Sequence, residues 1–315
     1  MNNVFEKEIT MKNFGLTATM VFEAESANYG EGFGNISVLK KMSRRNGETY
    51  TYISRQALRY SIVGQCGWDS TPVGAPKDSK KNSDDESEGK SSGTTDKSVV
   101  QFSPDATIKD YPEIDFFGYM KTVKGSNAAT RAAVARLSNA VSLEPYRADT
   151  DFLTNMGLAK RAGQQNSIAQ REIHHSLYAY TITIDLDKVG IDGDIAISNE
   201  EKAKRVRELL DAIAHLYRDI AGRRESLAPV FAVGGVFERR NPYFENNVIV
   251  KNGALDVSRI AEIIKDDPDC GKNCICGVRV GAFRNEDEIK NELNAVTVGE
   301  FFRELTSRAE AAYNE

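Results

Sequence analysis

The sequence predicts an α+β fold, a sheet with helices on one face, and three observations lead there. Hydrophobic residues make up 40% of 315 positions, enough to fill a sizeable core. Segments rich in β-branched and aromatic residues recur along the chain. Between them stand helices opened by two capping-box pairs, Ser198 with Glu201 and Thr297 with Glu300.

Residues 8–22 alternate loosely between apolar and polar side chains, which predicts an opening strand. The next ten residues carry Gly30, Gly32 and Gly34 and must form a loop with backbone freedom. Residues 49–53 resume strand character. Ser54 then caps a short helix with Ala57, Leu58, Ile62 and Val63 on one side and Arg55, Gln56 and Arg59 on the other. Residues 77–98 are 22 consecutive positions without an apolar side chain, a disordered surface insertion. Residues 114–120 read as a strand. Residues 151–173 read as an irregular loop that leaves the sheet and returns to it before a strand at 177–186. Val206, Leu209, Leu210, Ile213, Tyr217 and Ile220 repeat at helical spacing, predicting a helix from Ser198 to near Gly222. A strand at 229–237, a helix around 257–264, a strand at 275–280 and a C-terminal helix complete the order.

The net charge of -5 at first argues against a phosphate-rich partner. Its distribution reverses that reading. Residues 35–63 hold six basic side chains, Lys40, Lys41, Arg44, Arg45, Arg55 and Arg59, against Glu48 alone. Residues 120–175 hold eight, Lys121, Lys124, Arg131, Arg136, Arg147, Lys160, Arg161 and Arg171, against four acids, whereas residues 255–315 carry eight basic and thirteen acidic side chains. A glycine-rich loop and an Arg-rich hairpin feeding a helix start with Gln56 and Arg59 on its first turns offer amide donors, a positive dipole and guanidinium, the groups that hold a sugar-phosphate backbone. A cap with exposed helix positions is the plainer reading of the same residues.

Enzymatic signatures are missing: the sequence has no G-x-S-x-G, Walker loop, H-E-x-x-H or dinucleotide fingerprint. Cys270, Cys274 and Cys276 could suggest a metal site, but their spacing fits no standard template; a turn at 269–273 leading into a buried strand is the preferred reading. His174 and His175 would point to opposite faces of an extended segment, so no shared metal is expected, and His215 reads as a surface residue of its helix. Asp266, Asp267 and Asp269 read as an acidic turn. No cofactor is expected. Neither a secretory leader nor an eighteen-residue apolar run is present, so a soluble cytoplasmic protein is expected.

Four passages, in this order, resemble the CRISPR-associated autoregulator DevR family, the repeated backbone subunit of type I-B Cascade. They are Asn28-Tyr29-Gly30-Glu31-Gly32-Phe33-Gly34-Asn35, the Ser54-x-Gln56-Ala57-Leu58-Arg59 string within residues 52–60, the stretch 136–145 beginning Arg136-Leu137-Ser138-Asn139, and Phe231-Ala232-Val233-Gly234-Gly235-Val236-Phe237. The resemblance spans roughly residues 8–240 and is weaker in the acidic C-terminal quarter.

It implies a hand: a palm on an RNA-recognition-motif-like (ferredoxin-like) sheet, an inserted finger and a thumb. On that plan residues 1–66, 131–150 and 176–315 form the palm, 67–130 the finger and 151–175 the thumb. The implied partners are CRISPR RNA, neighbouring copies, other Cascade subunits and, through the guide, target DNA. The implied RNA contacts are Asn35, Arg44, Arg45, Ser54, Arg55, Gln56 and Arg59 on the palm, Met156 as an apolar wedge with Lys160 and Arg161 on the thumb, and Gly234 and Gly235. The aromatic signature by which ordinary RNA-recognition motifs stack bases is absent, so the open sheet face is not expected to read RNA. The alternative is a metal-dependent ribonuclease like the type III backbone relatives, with Glu25 and Glu31 as candidate acids. A DNA-binding regulator finds no helix-turn-helix signal in this sequence.

Overall fold

The computed structural model describes residues 15–25, 28–30, 32, 34–44, 47–74, 99–122 and 128–314. Its centre is a nine-stranded sheet. We label the strands β1 (Gly15–Glu25), β2 (Ile36–Ser37), β3 (Lys41–Ser43), β4 (Thr49–Ile53), β5 (Ala135–Leu137), β6 (Ala140–Ser142), β7 (Asp149–Thr154), β8 (Ile168–Ile173), β9 (His175–Asp185), β10 (Phe231–Phe237), β11 (Ile275–Val278) and β12 (Val296–Thr297). The helices are α1 (Arg55–Cys66), α2 (Pro112–Phe117), α3 (Met156–Ala162), α4 (Asn199–Ala214), α5 (Val257–Asp266), α6 (Pro268–Asn273), α7 (Glu286–Glu292) and α8 (Val298–Ala311). Across the sheet the order is β12-β11-β10-β1-β9-β6-β4-β3, with β5 also pairing β9. All pairs are antiparallel except β11 with β12.

The expected single helical layer is corrected to two. Leu16, Met20 and Phe22 of β1, Tyr178 and Ile182 of β9 and Ala232 of β10 face α1, α4 and α8. Val21, Phe231, Val233 and Phe237 face the opposite way, into a second core with Val257, Ile260 and Ile289 of α5 and α7. Strands β1 and β10 are largely buried on both faces, so both faces require cover. Gly234 and Gly235 belong to this packing: a Cβ on Gly234 would lie 2.2 Å from the Thr17 carbonyl oxygen, and one on Gly235 would lie 2.3 Å from that of Asn273. Both are buried in the middle of the sheet.

Three predicted elements take other forms. Residues 112–117 are helix α2, not strand, because Pro112 starts a turn that buries Ile114, Phe116 and Phe117, and Gly118 at φ 71° ends it; a strand follows at Tyr119–Lys121. The long helix stops at Ala214, and residues 217–220 instead pair with 223–226. Ala221 and Gly222 both have positive φ, as a tight hairpin turn needs, and the facing residues Arg218 and Glu225 form an ion pair at 2.6 Å. Residues 268–273 form α6, with the Asp267 carboxylate accepting from the Asp269 and Cys270 amides, and Cys276 lies in the buried strand β11.

The capping reading holds in full at α8, where Thr297 and Glu300 each bond the other's amide. At α4 only the Ser198 half forms, since Glu201 pairs with Arg205. The opening strand begins within the described residues at Gly15; positions 8–14 and the predicted insertion at 77–98 lie outside them. Among the described residues of 67–130, Ala106, Ile108 and Ile114 form a satellite core. No helix among the described residues is long and apolar enough to cross a membrane.

Two polar clusters lock the fold. Fully buried Asp115 meets Arg131 at 2.8 Å, Arg205 at 3.1 Å and the Gly190 amide at 2.9 Å. Beside β4, the Thr51 hydroxyl lies 2.7 Å from His174 Nδ1 and 2.9 Å from the Tyr178 hydroxyl. His175, the next residue, is exposed near Glu23, so the two imidazoles do face apart. Burial holds the His174 imidazole below its ordinary 6.5 although Glu144 and Asp149 oppose the shift.

Two outcomes follow. Asp115→Asn leaves two buried guanidinium groups short of their counter-charge and should cost about 3–5 kcal/mol in chemical denaturation; a change within measurement error contradicts that role. Because the unfolded chain binds the His174 proton more readily than the folded one, stability should be level above pH 6.5 and fall as pH drops below it. His174→Gln should flatten that part of a stability-against-pH curve.

Candidate nucleic-acid interface

Helix α1 begins where loops from two other parts of the chain meet. Its first amides have no partners inside the helix. Ser54, extended at φ -67° and ψ 148°, accepts from the Ala57 amide at 3.3 Å and is itself buried. The Ser54 amide donates to Asn28 Oδ1 at 2.5 Å, and the Arg55 amide donates to Asn139 Oδ1 at 2.9 Å. The Leu58 amide reaches the Ser54 carbonyl at 3.1 Å. That leaves the Gln56 amide without a hydrogen-bond partner among the described residues, at the positive end of the helix dipole. The side chains of Arg55 and Gln56 are exposed beside it.

Three of the four motif-bearing passages therefore converge: Asn28, the Ser54 string and Asn139. The fourth, β10, lies in the buried middle of the sheet. Asn28 and Asn139 were missed as functional positions although both stand in the quoted passages. The sequence shows two asparagines in loops and nothing that aims them at one helix end.

The glycine-rich loop is tied to the predicted thumb. Strand β2 lies parallel to β8, and the Gln170 amide donates to the Asn35 carbonyl at 2.9 Å, so exposed Asn35 sits at this junction. The Glu172 carboxylate accepts from the Leu39 amide at 2.8 Å and from Lys41 Nζ at 2.7 Å, and its backbone carbonyl accepts from the Tyr29 hydroxyl at 3.2 Å.

The tract expected to be irregular is an ordered hairpin, β7 against β8, with α3 at its tip. Its strands escape sequence reading because neither has a buried face to impose alternation. Asp151 and Arg171, facing each other across it, pair at 2.6 Å. The tip exposes Met156, 61% accessible, together with Phe152, Leu153, Leu158 and Ile168, of which sequence reading had singled out Met156 alone. Lys160 and Arg161 are exposed on α3 with no ion pair among the described residues.

Intramolecular pairing removes much of the basic count. Arg59 donates to Glu113 at 3.1 Å with its guanidinium 4.9 Å from the Phe117 ring centre, so its expected place on the solvent side of α1 is corrected to a half-buried bridge to α2. Lys41 is held by Glu172, Arg131 by Asp115, Arg136 by Asp185 and Arg171 by Asp151; Lys121 Nζ donates to the Ala106 carbonyl. Arg44 is exposed and lies over the Tyr50 ring at 5.0 Å; Arg45 falls outside the described residues. Lys40, Arg55, Arg147, Lys160 and Arg161 have no ion pair among the described residues. Of the acids weighed for metal-dependent cleavage, Glu25 pairs with Arg223 at 3.0 Å and Glu31 lies outside the described residues.

Residues 16–257 match the family described as CRISPR-associated negative auto-regulator DevR/Csa2. The chain belongs to this family. The match includes all four motif passages and both asparagines at the start of α1. Among solved structures, the chain is similar to one titled "CRISPR RNA-guided surveillance complex, pre-nicking", at 10% identity and a TM-score of 0.63, over 94% of this chain and all of the other. A second, titled "CRISPR RNA-guided surveillance complex", is similar at 12% identity and a TM-score of 0.56, over 96% of this chain and 98% of the other. At such identities these likenesses show a shared fold. No curated protein matches the chain.

Glu172→Gln should loosen the loop from the β7–β8 hairpin, because a charge-assisted pair of contacts worth roughly 1.5–3 kcal/mol is weakened. Hydrogen exchange should quicken at the Leu39 and Gln170 amides while β1 and β9 stay protected. Unchanged exchange at Leu39 would remove Glu172 from that role.

Proposed function

We propose that this DevR/Csa2-family chain is the guide-binding backbone subunit of a type I-B Cascade complex: a non-catalytic, RNA-binding protein whose copies line up along CRISPR RNA and present the spacer for pairing with invading DNA. The carrying observation is the convergence of Asn28, Ser54, Arg55, Gln56 and Asn139 on one helix start, with the glycine-rich loop strapped to a projecting hairpin. The titles of the similar structures support the same reading.

The chemistry suits a guide of any sequence. An open amide at Gln56 and the guanidinium of Arg55 address a phosphate, which every nucleotide carries. Asn28 and Asn139 hold the helix start in place. Lys40 and Arg44 lie nearby on the chain's first basic stretch. On the thumb, Met156 and its apolar neighbours form a surface able to separate stacked bases, with Lys160 and Arg161 to hold the adjoining phosphates. The hand plan assigns the sheet to the palm, residues 67–130 to the finger and residues 151–175 to the thumb. Packing of one copy's thumb over RNA against the next copy would build the filament, and other Cascade subunits would close its ends.

Purified protein should retain RNA, bind it with little sequence preference, and lose affinity steeply as salt rises. Arg55→Glu should weaken binding and reduce the salt slope by about 0.7, the share of one phosphate contact on single-stranded nucleic acid. A carboxylate in the first turn favours the helix, so the melting temperature should hold. An RNA-free monomer with salt-insensitive binding would contradict the reading. Incubating the RNA-loaded protein with complementary RNA and Mg2+ should leave that RNA intact; regularly spaced products would favour the ribonuclease instead.

A further inference from the structure

We infer that Tyr60 on the outer face of α1 is a stacking platform for a base of the bound single-stranded RNA, an inference that rests on the reading of α1 as the guide-binding helix. Tyr60 is 82% accessible, the most exposed of the large hydrophobic side chains among the described residues. Its ring and hydroxyl make no aromatic contact and no hydrogen bond among those residues. A lone exposed aromatic is ordinary on a protein surface; its surroundings set this one apart.

Tyr60 lies four residues beyond Gln56, so the two share one helix face about one turn, 5.4 Å, apart. Helical side chains lean toward the N-terminus, which brings the Tyr60 ring over the turn that carries the open Gln56 amide. Four residues further on, the same face is bare: Gly64 is exposed, and a Cβ placed on it would meet nothing within 4 Å. The ring thus has the amide on one side and open space on the other. Arg55, exposed and without an ion pair among the described residues, opens the same helix, and a cation near an aromatic face is what a nucleotide offers its phosphate and its base to. Stacking tolerates every base, as a guide-binding surface requires.

The occupant is a nucleobase in preference to a protein side chain. The unpaired groups nearest to Tyr60 in sequence, the Gln56 amide and the Arg55 guanidinium, are both anion seats, and a nucleotide supplies an anion and a planar ring one short reach apart. Tyr60 therefore adds to the phosphate seat a contact that reads neither sequence nor charge but requires one face of the base to be unstacked from its neighbours.

The experiment uses full-length protein reconstituted on single-stranded RNAs that carry 2-aminopurine at one position each. Wild-type protein should quench or shift the probe's fluorescence at positions that repeat along the RNA. Tyr60→Phe should preserve the signal, and Tyr60→Ala should abolish it while raising the RNA dissociation constant about fivefold or more, the low end of one base–aromatic stack. Because Tyr60 is exposed, the thermal melt of both variants should match the wild type. An unchanged signal in Tyr60→Ala with RNA still bound overturns this inference alone. Wild-type protein that binds no RNA overturns the guide-binding reading together with it. If Tyr60→Ala leaves the probe signal intact and instead changes sedimentation of the RNA-free protein, the ring is a protein contact and the inference fails.

Discussion

A helix cannot satisfy its own first amides, and at α1 that constraint gathers the candidate site. Asn28 and Asn139 come from loops more than a hundred residues apart, and each holds one of the amides at the start of the helix. Ser54 holds a third. Once those bonds are made, the glycine-rich loop, the turn between β5 and β6 and the start of α1 are fixed relative to one another, and the Gln56 amide is the remaining donor. Glu172 extends the arrangement outward by binding the loop and β3 to the base of the projecting hairpin. The two cores beneath give α1 a rigid support, with Leu58, Ile62 and Val63 sunk against the sheet.

Electrostatics here is local. The sequence's basic stretches look like continuous tracks, yet Arg131 and Arg205 serve the buried Asp115, and Arg59, Arg136 and Arg171 are matched by Glu113, Asp185 and Asp151. Such pairs are structural contacts, and the half-exposed ones contribute little to stability. Within those two basic stretches, the cations left without an ion pair among the described residues include Lys40 and Arg55 around the loop and α1, and Lys160 and Arg161 at the tip of the β7–β8 hairpin. A small number of open cations set on rigid elements positions phosphate better than a larger diffuse charge does, because the geometry exists before binding.

What the sequence could disclose depended on burial. Strands β1, β4, β9 and β10 and helices α1 and α8 are legible because each buries a regular set of side chains or carries a cap with a known spacing. The β7–β8 hairpin has no fully buried strand position and carries no periodic signal, so it reads as a loop. The end of α4 is misread because Tyr217 and Ile220 continue its spacing by chance, while the Ala221 and Gly222 backbone turns the chain. At the candidate site, residue types revealed Arg55 and Gln56, but Asn28 and Asn139 act through a meeting of distant loops that only the fold brings about. Gly234 and Gly235 show the reverse: their motif is legible, and its reason is close packing against β1 and α6.

The central claim is that RNA follows the start of α1 and the thumb tip. Ultraviolet crosslinking of the RNA-loaded protein, with the attached peptides located by mass spectrometry, tests it most directly. The account predicts nucleotide adducts in peptides spanning residues 35–60 and 152–161. Adducts confined to the acidic surface of α5, α6 and α7, with none on α1 or the hairpin, would contradict it.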